Sequence, residues 1–183
     1  MEHGFALFET AVGTCGIAWS ERGLVGLLLP ESAPGQAVAR FRRRFPELHE
    51  AEPPERIGRV IAAIVAHLEG RSDDLRWVSI DLDRVGAFEA SVYRAARAIP
   101  PGETRTYGQL ATQLGDPAQA RAVGQALGRN PWPIVVPCHR ITAAEGRTGG
   151  FSAPGGAATK LRLLEIEGAL AAETLPLFAP PSS

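Results

Sequence analysis

Residues 106–128 read TYGQLATQLGDPAQARAVGQALG, and the architecture of the second half of the chain follows from their punctuation. Thr106-Tyr107-Gly108-Gln109 has the Thr-x-x-Gln spacing of a capping box, whose two side chains satisfy backbone N–H groups that a helix start leaves unpaired. It opens a short helix with Leu110 and Leu114 as core positions, and Gly115 ends it. Asp116-Pro117-Ala118-Gln119 then supplies an N-cap, a proline at the first helical position and a glutamine at the third, so a second helix starts at once and runs to about Gly128. Two short helices joined by a tight glycine-containing turn form the helix-turn-helix pattern. The second helix carries Ala118, Ala120, Ala122, Gly124 and Ala126, interrupted by Arg121. Such small side chains permit close approach to a duplex, although alanine-faced helical hairpins also serve purely as packing devices.

Upstream, Phe88 to Ile99 has helical spacing through Phe88, Val92, Ala95, Ala96 and Ile99, and Pro100-Pro101-Gly102 stops it. Further back, Phe5 to Phe8, Gly16 to Trp19 and Leu24 to Leu29 are short apolar runs separated by Gly13-Thr14 and Glu21-Arg22-Gly23, which reads as hairpin strands. Gln36 to Phe45 and Ile57 to Leu68 are helical, the second with Ile57, Ile61, Ile64, Val65 and Leu68 on one stripe, and Leu75 to Leu82 alternates like a strand. The expected fold class is therefore α+β. A small N-terminal α/β unit (1–82) precedes a mainly helical C-terminal domain (83–183) with a helix-turn-helix, and 171–183 is a frayed Pro-, Ala- and Ser-rich tail.

With 183 residues the chain can bury roughly 70% of its unfolded surface. A hydrophobic share of 45% and a charged share of 21% are ordinary globular values, and no apolar run approaches the ~20 residues of a membrane span. Cys15 and Cys138 are too few for a disulfide framework and no leader stands at the N-terminus, so a reducing cytoplasmic compartment is expected. The net charge of −1 argues against coating nucleic acid by bulk charge. The distribution is uneven, however: residues 117–162 hold six basic side chains and one acidic, a formal +5. Arg40, Arg42, Arg43 and Arg44 read as a solvated helix face.

Chemistry concentrates at residues 131–140, PWPIVVPCHR. Prolines fix φ and Ile134-Val135-Val136 read as a stiff β-branched strand, so Cys138 is held rather than mobile. A rigid thiol beside an imidazole and a guanidinium is expected to have a stabilised thiolate, the nucleophilic form, whereas a lone cysteine is otherwise usually a small buried hydrophobe. Cys15, in an apolar run with no basic neighbour, fits that second description. His3, His49, His67 and His139 pair with neither cysteine at ligand spacing, which argues against structural zinc. The glycines at 146–150 and 155–156 match neither a phosphate loop nor a dinucleotide fingerprint.

Five segments in order, PPGETRTYGQLA at 100–111, ARAVG at 120–124, NPWPIVVPCHRI at 130–141, GGFS at 149–152 and KLRLLEIEG at 160–168, resemble a known family. It is the O6-alkylguanine-DNA alkyltransferases, also called methylated-DNA-protein-cysteine methyltransferases. The resemblance covers Phe88 to Gly168, with a looser echo before it. It implies irreversible, stoichiometric repair of alkylated guanine in double-stranded DNA, with O4-alkylthymine as a second candidate substrate, by a cytoplasmic monomer without cofactor or metal. It also implies roles: Cys138 accepts the alkyl group, His139 takes its proton through a water, Glu167 orients that histidine, and Asn130 braces the turn. Arg121 fills the gap left by the flipped nucleotide, Tyr107 pushes on the target phosphate and donates to the guanine, and Ser152 helps bind the lesion oxygen. Ala120, Arg129, Phe151 and Lys160 complete the substrate- and DNA-facing set. The helix-turn-helix is expected against the minor groove, which suits a small-faced helix.

Phe151 stands where better-known members carry a tyrosine, so it can stack on a base but cannot donate a hydrogen bond. Two other readings remain. A cysteine hydrolase would need a distant histidine partner, and His3, His49 and His67 lie in no recognisable motif. A non-catalytic protein that only binds alkylated guanine would share the helix-turn-helix, but such relatives typically lack the cysteine that is kept here.

Overall fold

Three glycine-punctuated apolar runs form β1 (Gly4–Thr10), β2 (Gly13–Ser20) and β3 (Gly23–Leu28), an antiparallel sheet in that order. The computed structural model describes residues 3–30, 35–143 and 157–169. Strand alternation sends successive side chains to opposite faces. Phe5, Ala18, Val25 and Leu28 meet Phe41 of α1 (Gln36–Arg44) and the following Phe45 on one face. Ile17, Trp19, Leu24 and Leu27 lie in the larger cluster of the other face, with Ile57 and Ile64 of α2 (Glu55–Leu68). Burial on both faces is why Leu24 to Leu29 reads as a continuous apolar run. Each large side chain so placed contributes about 1.5–3 kcal/mol relative to exposure.

The same cluster continues into the second half through Val92 and Ala96 of α3 (Ala87–Arg97), Leu110 of α4 (Tyr107–Gln113), Val123 of α5 (Ala120–Gly128) and Leu163 of α6 (Ala157–Ile166). Two-residue strands β4 (Arg105–Thr106) and β5 (Ile141–Thr142) pair in parallel, which ties the start of α4 to the segment just after Cys138-His139-Arg140. The architecture is α+β, as expected from the sequence.

The capping box is present: Gln109 N–H donates to Thr106 Oγ1 at 3.0 Å and Thr106 N–H to Gln109 Oε1 at 2.9 Å. Asp116 accepts from Ala118 N–H at 2.9 Å, and Pro117–Gln119 forms a 3₁₀ turn before α5 begins at Ala120. The expected core position Leu114, at the C-cap of α4, is exposed, and Ala111 is buried beside Leu110 instead.

Two other expectations need correction. The buried face of α2 is Ile57, Val60, Ile64, His67 and Leu68, with Ile61 and Val65 only half-buried, so the stripe is rotated and brings a histidine inward. Residues 75–82 form no strand. Asp73 and Asp74 accept from Leu75 N–H and Arg76 N–H, turning the chain, and Leu75 adopts φ 56°. Only one bridge survives, where Leu24 N–H donates to Ser79 O and Asp81 N–H to Leu24 O, each at 2.9 Å. That close approach requires Gly23, at φ 137°, because a Cβ there would lie 2.7 Å from Ser79 O. Among the described residues no helix is long and apolar enough to cross a membrane.

Candidate active site

Residues 131–137 are a chain of turns, not the strand that their β-branched residues suggest. Val136 N–H closes onto Trp132 O at 2.8 Å, and Ile134 takes φ 77°, a left-handed conformation strained for a β-branched residue. Side chains and the sheet hold this loop. Asn130 donates to Val136 O at 2.8 Å and accepts from Trp132 N–H at 2.9 Å, clamping both ends of the turn. Leu27 N–H donates to Pro131 O and the Trp132 indole to Leu24 O, each at 2.8 Å, so the edge of β3 carries the loop. Tyr93 packs edge-on to Trp132 at 5.9 Å and donates to Ala126 O at 2.7 Å, adding α3 and α5 to the scaffold.

Cys138 opens a buried 3₁₀ turn with His139 and Arg140. Burial pushes its thiol up, against a hydrogen bond with Asn130 and the charge of Lys160, so it rests protonated rather than as the stabilised thiolate expected. Arg140 does not serve the thiol. Its Nε and Nη2 donate to the two oxygens of Glu167, at 2.9 and 2.7 Å, and Nη1 donates to Ile99 O at 2.7 Å.

His139 Nε2 lies 2.7 Å from Glu167 Oε1, and its buried Nδ1 has no hydrogen-bond partner among the described residues. Burial holds the imidazole below its ordinary value, partly opposed by Glu167. Burial would raise the Glu167 carboxyl, but donors from Arg140, His139 and His67 outweigh it and hold the acid far below the usual range. The arrangement is a buried thiol, an adjacent neutral imidazole with one free lone pair, and a carboxylate behind it, which suits it to generate a thiolate on demand.

Around this centre, the Tyr107 ring at the start of α4 lies 3.8 Å from where a Cβ on Gly124 would stand, and burial followed by the thiol's charge raises its hydroxyl. Lys160 was expected to face substrate or DNA; it is fully buried, with Nζ donating to Ile141 O at 2.6 Å and lying 5.8 Å from the Tyr107 ring. Burial lowers it to about 8. Arg121 is exposed on α5 and Ala120 half-buried at its start, while Arg129 is exposed and paired with Glu89 at 3.0 Å. A cavity of about 590 Å3 reaches Cys138, and Tyr93, Leu127, Pro133, Arg40 and Arg44 are among the residues that line it. Phe151 and Ser152 lie outside the described residues.

Residues 87–169 match the family model described as 6-O-methylguanine DNA methyltransferase, DNA binding domain. A methylated-DNA-protein-cysteine methyltransferase of Mycolicibacterium paratuberculosis is 41% identical over 128 residues, which cover 69% of this chain and 74% of that one. The chain belongs to the methylated-DNA-protein-cysteine methyltransferase family. Solved members agree across both halves. Mycobacterium tuberculosis OGT, in a crystal structure with DNA, superposes with a TM-score of 0.72 at 33% identity, covering 96% of this chain and 99% of that chain. The O6-methylguanine-DNA methyltransferase of the archaeon Pyrococcus kodakaraensis gives 0.68 at 27%, covering 91% and 99%.

The residue that reading the sequence missed is His67. Its Nε2 lies 2.9 Å from Glu167 Oε1, so α2 contributes to the polar centre of this family member. The available signal was a lone histidine falling on the apolar stripe of an amphipathic helix.

Proposed function

We infer that this chain repairs DNA by moving an alkyl group irreversibly from guanine O6 in duplex DNA onto Cys138. The observation that carries the reading is the buried His139–Glu167 pair directly behind a buried cysteine, within reach of the helix-turn-helix. Cys138 gives its proton to His139 Nδ1 through a water, and Glu167 stabilises the imidazolium that forms. The sulfur then bonds to the alkyl carbon as the C–O6 bond breaks, and the electrons of that bond stay on the guanine oxygen. A hydroxyl proton from Tyr107 or Ser152 neutralises the leaving guanine. Asn130 holds the turn that aims the thiol.

The target is hidden in the base stack, so the nucleotide must be extruded, and Arg121 on a small-faced helix is suited to take its place. Ala120 and Arg129 flank it on the DNA side, with Phe151 stacking on the base. Lys160 acts within the site as a buried charge beside the thiol. The N-terminal unit, to about residue 82, supports the site, and the rest carries the chemistry. The product is a thioether, which has no easy leaving route, so each molecule acts once. A monomer in the reducing cytoplasm fits two unpaired thiols.

Intact-protein mass after mixing with a duplex carrying O6-methylguanine tests this. One methyl group in place of one hydrogen, mapped to Cys138 and reaching a plateau at one equivalent, is expected. Binding with no mass gain would identify a protein that only recognises the lesion, and steady turnover would overturn the single-use mechanism.

A further inference from the structure

We propose that His67, at the end of α2 in the N-terminal unit, is a positioning residue for the alkyl transfer: it sets how strongly Glu167 acts on His139. The inference deepens the function proposed above and rests on it. His67 is buried, and both ring nitrogens have identified partners. Nδ1 receives the backbone N–H of Asp73 at 3.1 Å. An amide N–H can only donate, so Nδ1 carries no proton and the ring proton is on Nε2. That proton points at Glu167 Oε1, 2.9 Å away.

The turn after α2 is built to keep this tautomer. Asp73 accepts Leu75 N–H through Oδ1 at 2.8 Å and also takes the Trp77 indole N–H, so the amide facing His67 is fixed in place. Glu167 is thereby oversubscribed at one atom. Oε1 accepts from His139 Nε2 at 2.7 Å, from Arg140 Nη2 at 2.7 Å and from His67 Nε2 at 2.9 Å, although a carboxylate oxygen offers two lone pairs in plane.

Two consequences follow. Together with Arg140, the His67 N–H fixes the carboxylate plane so that Oε1 meets His139. It also draws electron density that would otherwise concentrate on the His139 N–H, which restrains the basicity of Nδ1, the atom that takes the thiol proton. The titratable and charged groups around His139 among the described residues are Glu167 after α6, Arg140 beside it, His67 from α2, the Cys138 thiol and, beyond that thiol, Lys160 on α6 and Tyr107 on α4. Among the described residues, His67 is the side chain of the N-terminal unit that hydrogen-bonds Glu167.

The test follows transfer from free O6-benzylguanine to the full chain in single turnover across pH, read by intact mass, with His139 titration followed by NMR. His67→Phe removes the donor and keeps a ring. It should lower the plateau rate about tenfold and move the acid limb and the His139 midpoint upward by about half a unit to one unit. His67→Gln places an amide N–H where Nε2 stood, and should restore the midpoint and most of the rate. A folded His67→Phe protein with unchanged midpoint overturns the proposal even if its rate or stability falls, since a purely structural role lowers those alone. If the wild type acquires no benzyl group, the functional reading itself fails, and the NMR midpoint still decides whether His67 acts on His139. The ¹⁵N shifts of the wild-type protein at pH 7 need no variant: a proton on His67 Nδ1 rather than Nε2 would also overturn the proposal.

Discussion

Cys15 in β2 and Cys138 after the turn loop are both free, both buried, and both have thiols pushed up by burial, Cys15 to about 11. What separates them is the route open to the proton. Cys15 has a threonine hydroxyl at 3.7 Å, which eases ionisation only in part, and the carboxylate of Glu9 opposes it, so no neighbouring base accepts its proton. Cys138 has an adjacent imidazole with a free lone pair, a carboxylate behind that imidazole, and a lysine charge. Burial alone therefore does not distinguish a structural thiol from a reactive one. A neighbouring base with its own counter-charge does.

Cys138→Ser should abolish transfer while retaining affinity for alkylated duplex, because a serine hydroxyl stays protonated where a thiol can be deprotonated. Cys15→Ala should transfer at the wild-type rate. Mass spectrometry and gel shifts on both variants check it, and a methyl group found on Cys15 would reverse the assignment.

The next largest effect is expected at Glu167. Glu167→Gln should slow transfer by about a hundredfold or more, since His139 loses the charge that stabilises its protonated form. It also strips the buried Arg140 guanidinium of its counter-charge and of one acceptor oxygen, and breaking a buried ion pair costs about 3–5 kcal/mol in comparable settings. The folded carboxyl lies far below its ordinary value, so its contribution to stability is complete above about pH 4.5 and is lost only as pH falls toward the depressed folded value. Urea unfolding of wild type and variant at pH 7 and pH 4 measures this. A variant that transfers normally would show that the carboxylate serves only to hold Arg140.

How much of this was legible beforehand follows the range of the forces. The Thr106 box and the Asp116 cap are contacts within three residues, so the helix-turn-helix could be read from its letters, and so could the strands marked by Gly13 and Gly23. The Cys138-His139 pair could be picked out as a rigid thiol beside an imidazole, whereas Glu167 came from the family resemblance of residues 160–168. By contrast, His67 meets Glu167 across a hundred residues of chain, and only the packing of α2 against the second half brings them together. The loop at 131–137 misled because β propensity describes fit to a sheet, whereas Asn130, Trp132 and the edge of β3 impose turns and a strained Ile134. Lys160 misled in the same way: its charge suggested a surface, and the carbonyl of Ile141 made burial tolerable.

Arg121 acts on the side of the substrate, since a reactive thiol is useless to a base still in the stack. If its side chain replaces the extruded nucleotide, Arg121→Ala should slow repair of duplex by about ten- to a hundredfold, equivalent to losing part of the few kcal/mol that offset unstacking. Reaction with free O6-benzylguanine should be unchanged. Single-turnover rates on both substrates at low and saturating DNA distinguish this from a phosphate contact, whose loss saturating DNA would restore.

The smallest expected effect belongs to Lys160, the charge that Cys138 has and Cys15 lacks. Burial lowers the amine to about 8, so at pH 7 it is mostly charged and favours the thiolate, whereas by pH 9 it is mostly neutral. Lys160→Met should therefore slow transfer about threefold at pH 7, with the deficit shrinking as pH rises through 8, whereas the deficit from a lost DNA contact of an exposed lysine would stay constant over that range. Stability supplies an independent check of sign. The folded value lies below the ordinary 10.5, so between about 8 and 10.5 this amine binds more protons in the unfolded chain, and its contribution to stability should rise with pH across that window, against the fall that the raised Cys15 and Cys138 thiols contribute in wild type and variant alike. Lys160→Met cannot show that rise, and urea midpoints at pH 7.5 and 9.5 compare the two. A wild type and a variant that respond equally would mean that the amine keeps its ordinary titration, and the difference between the two cysteines would then rest on His139 and Glu167 alone.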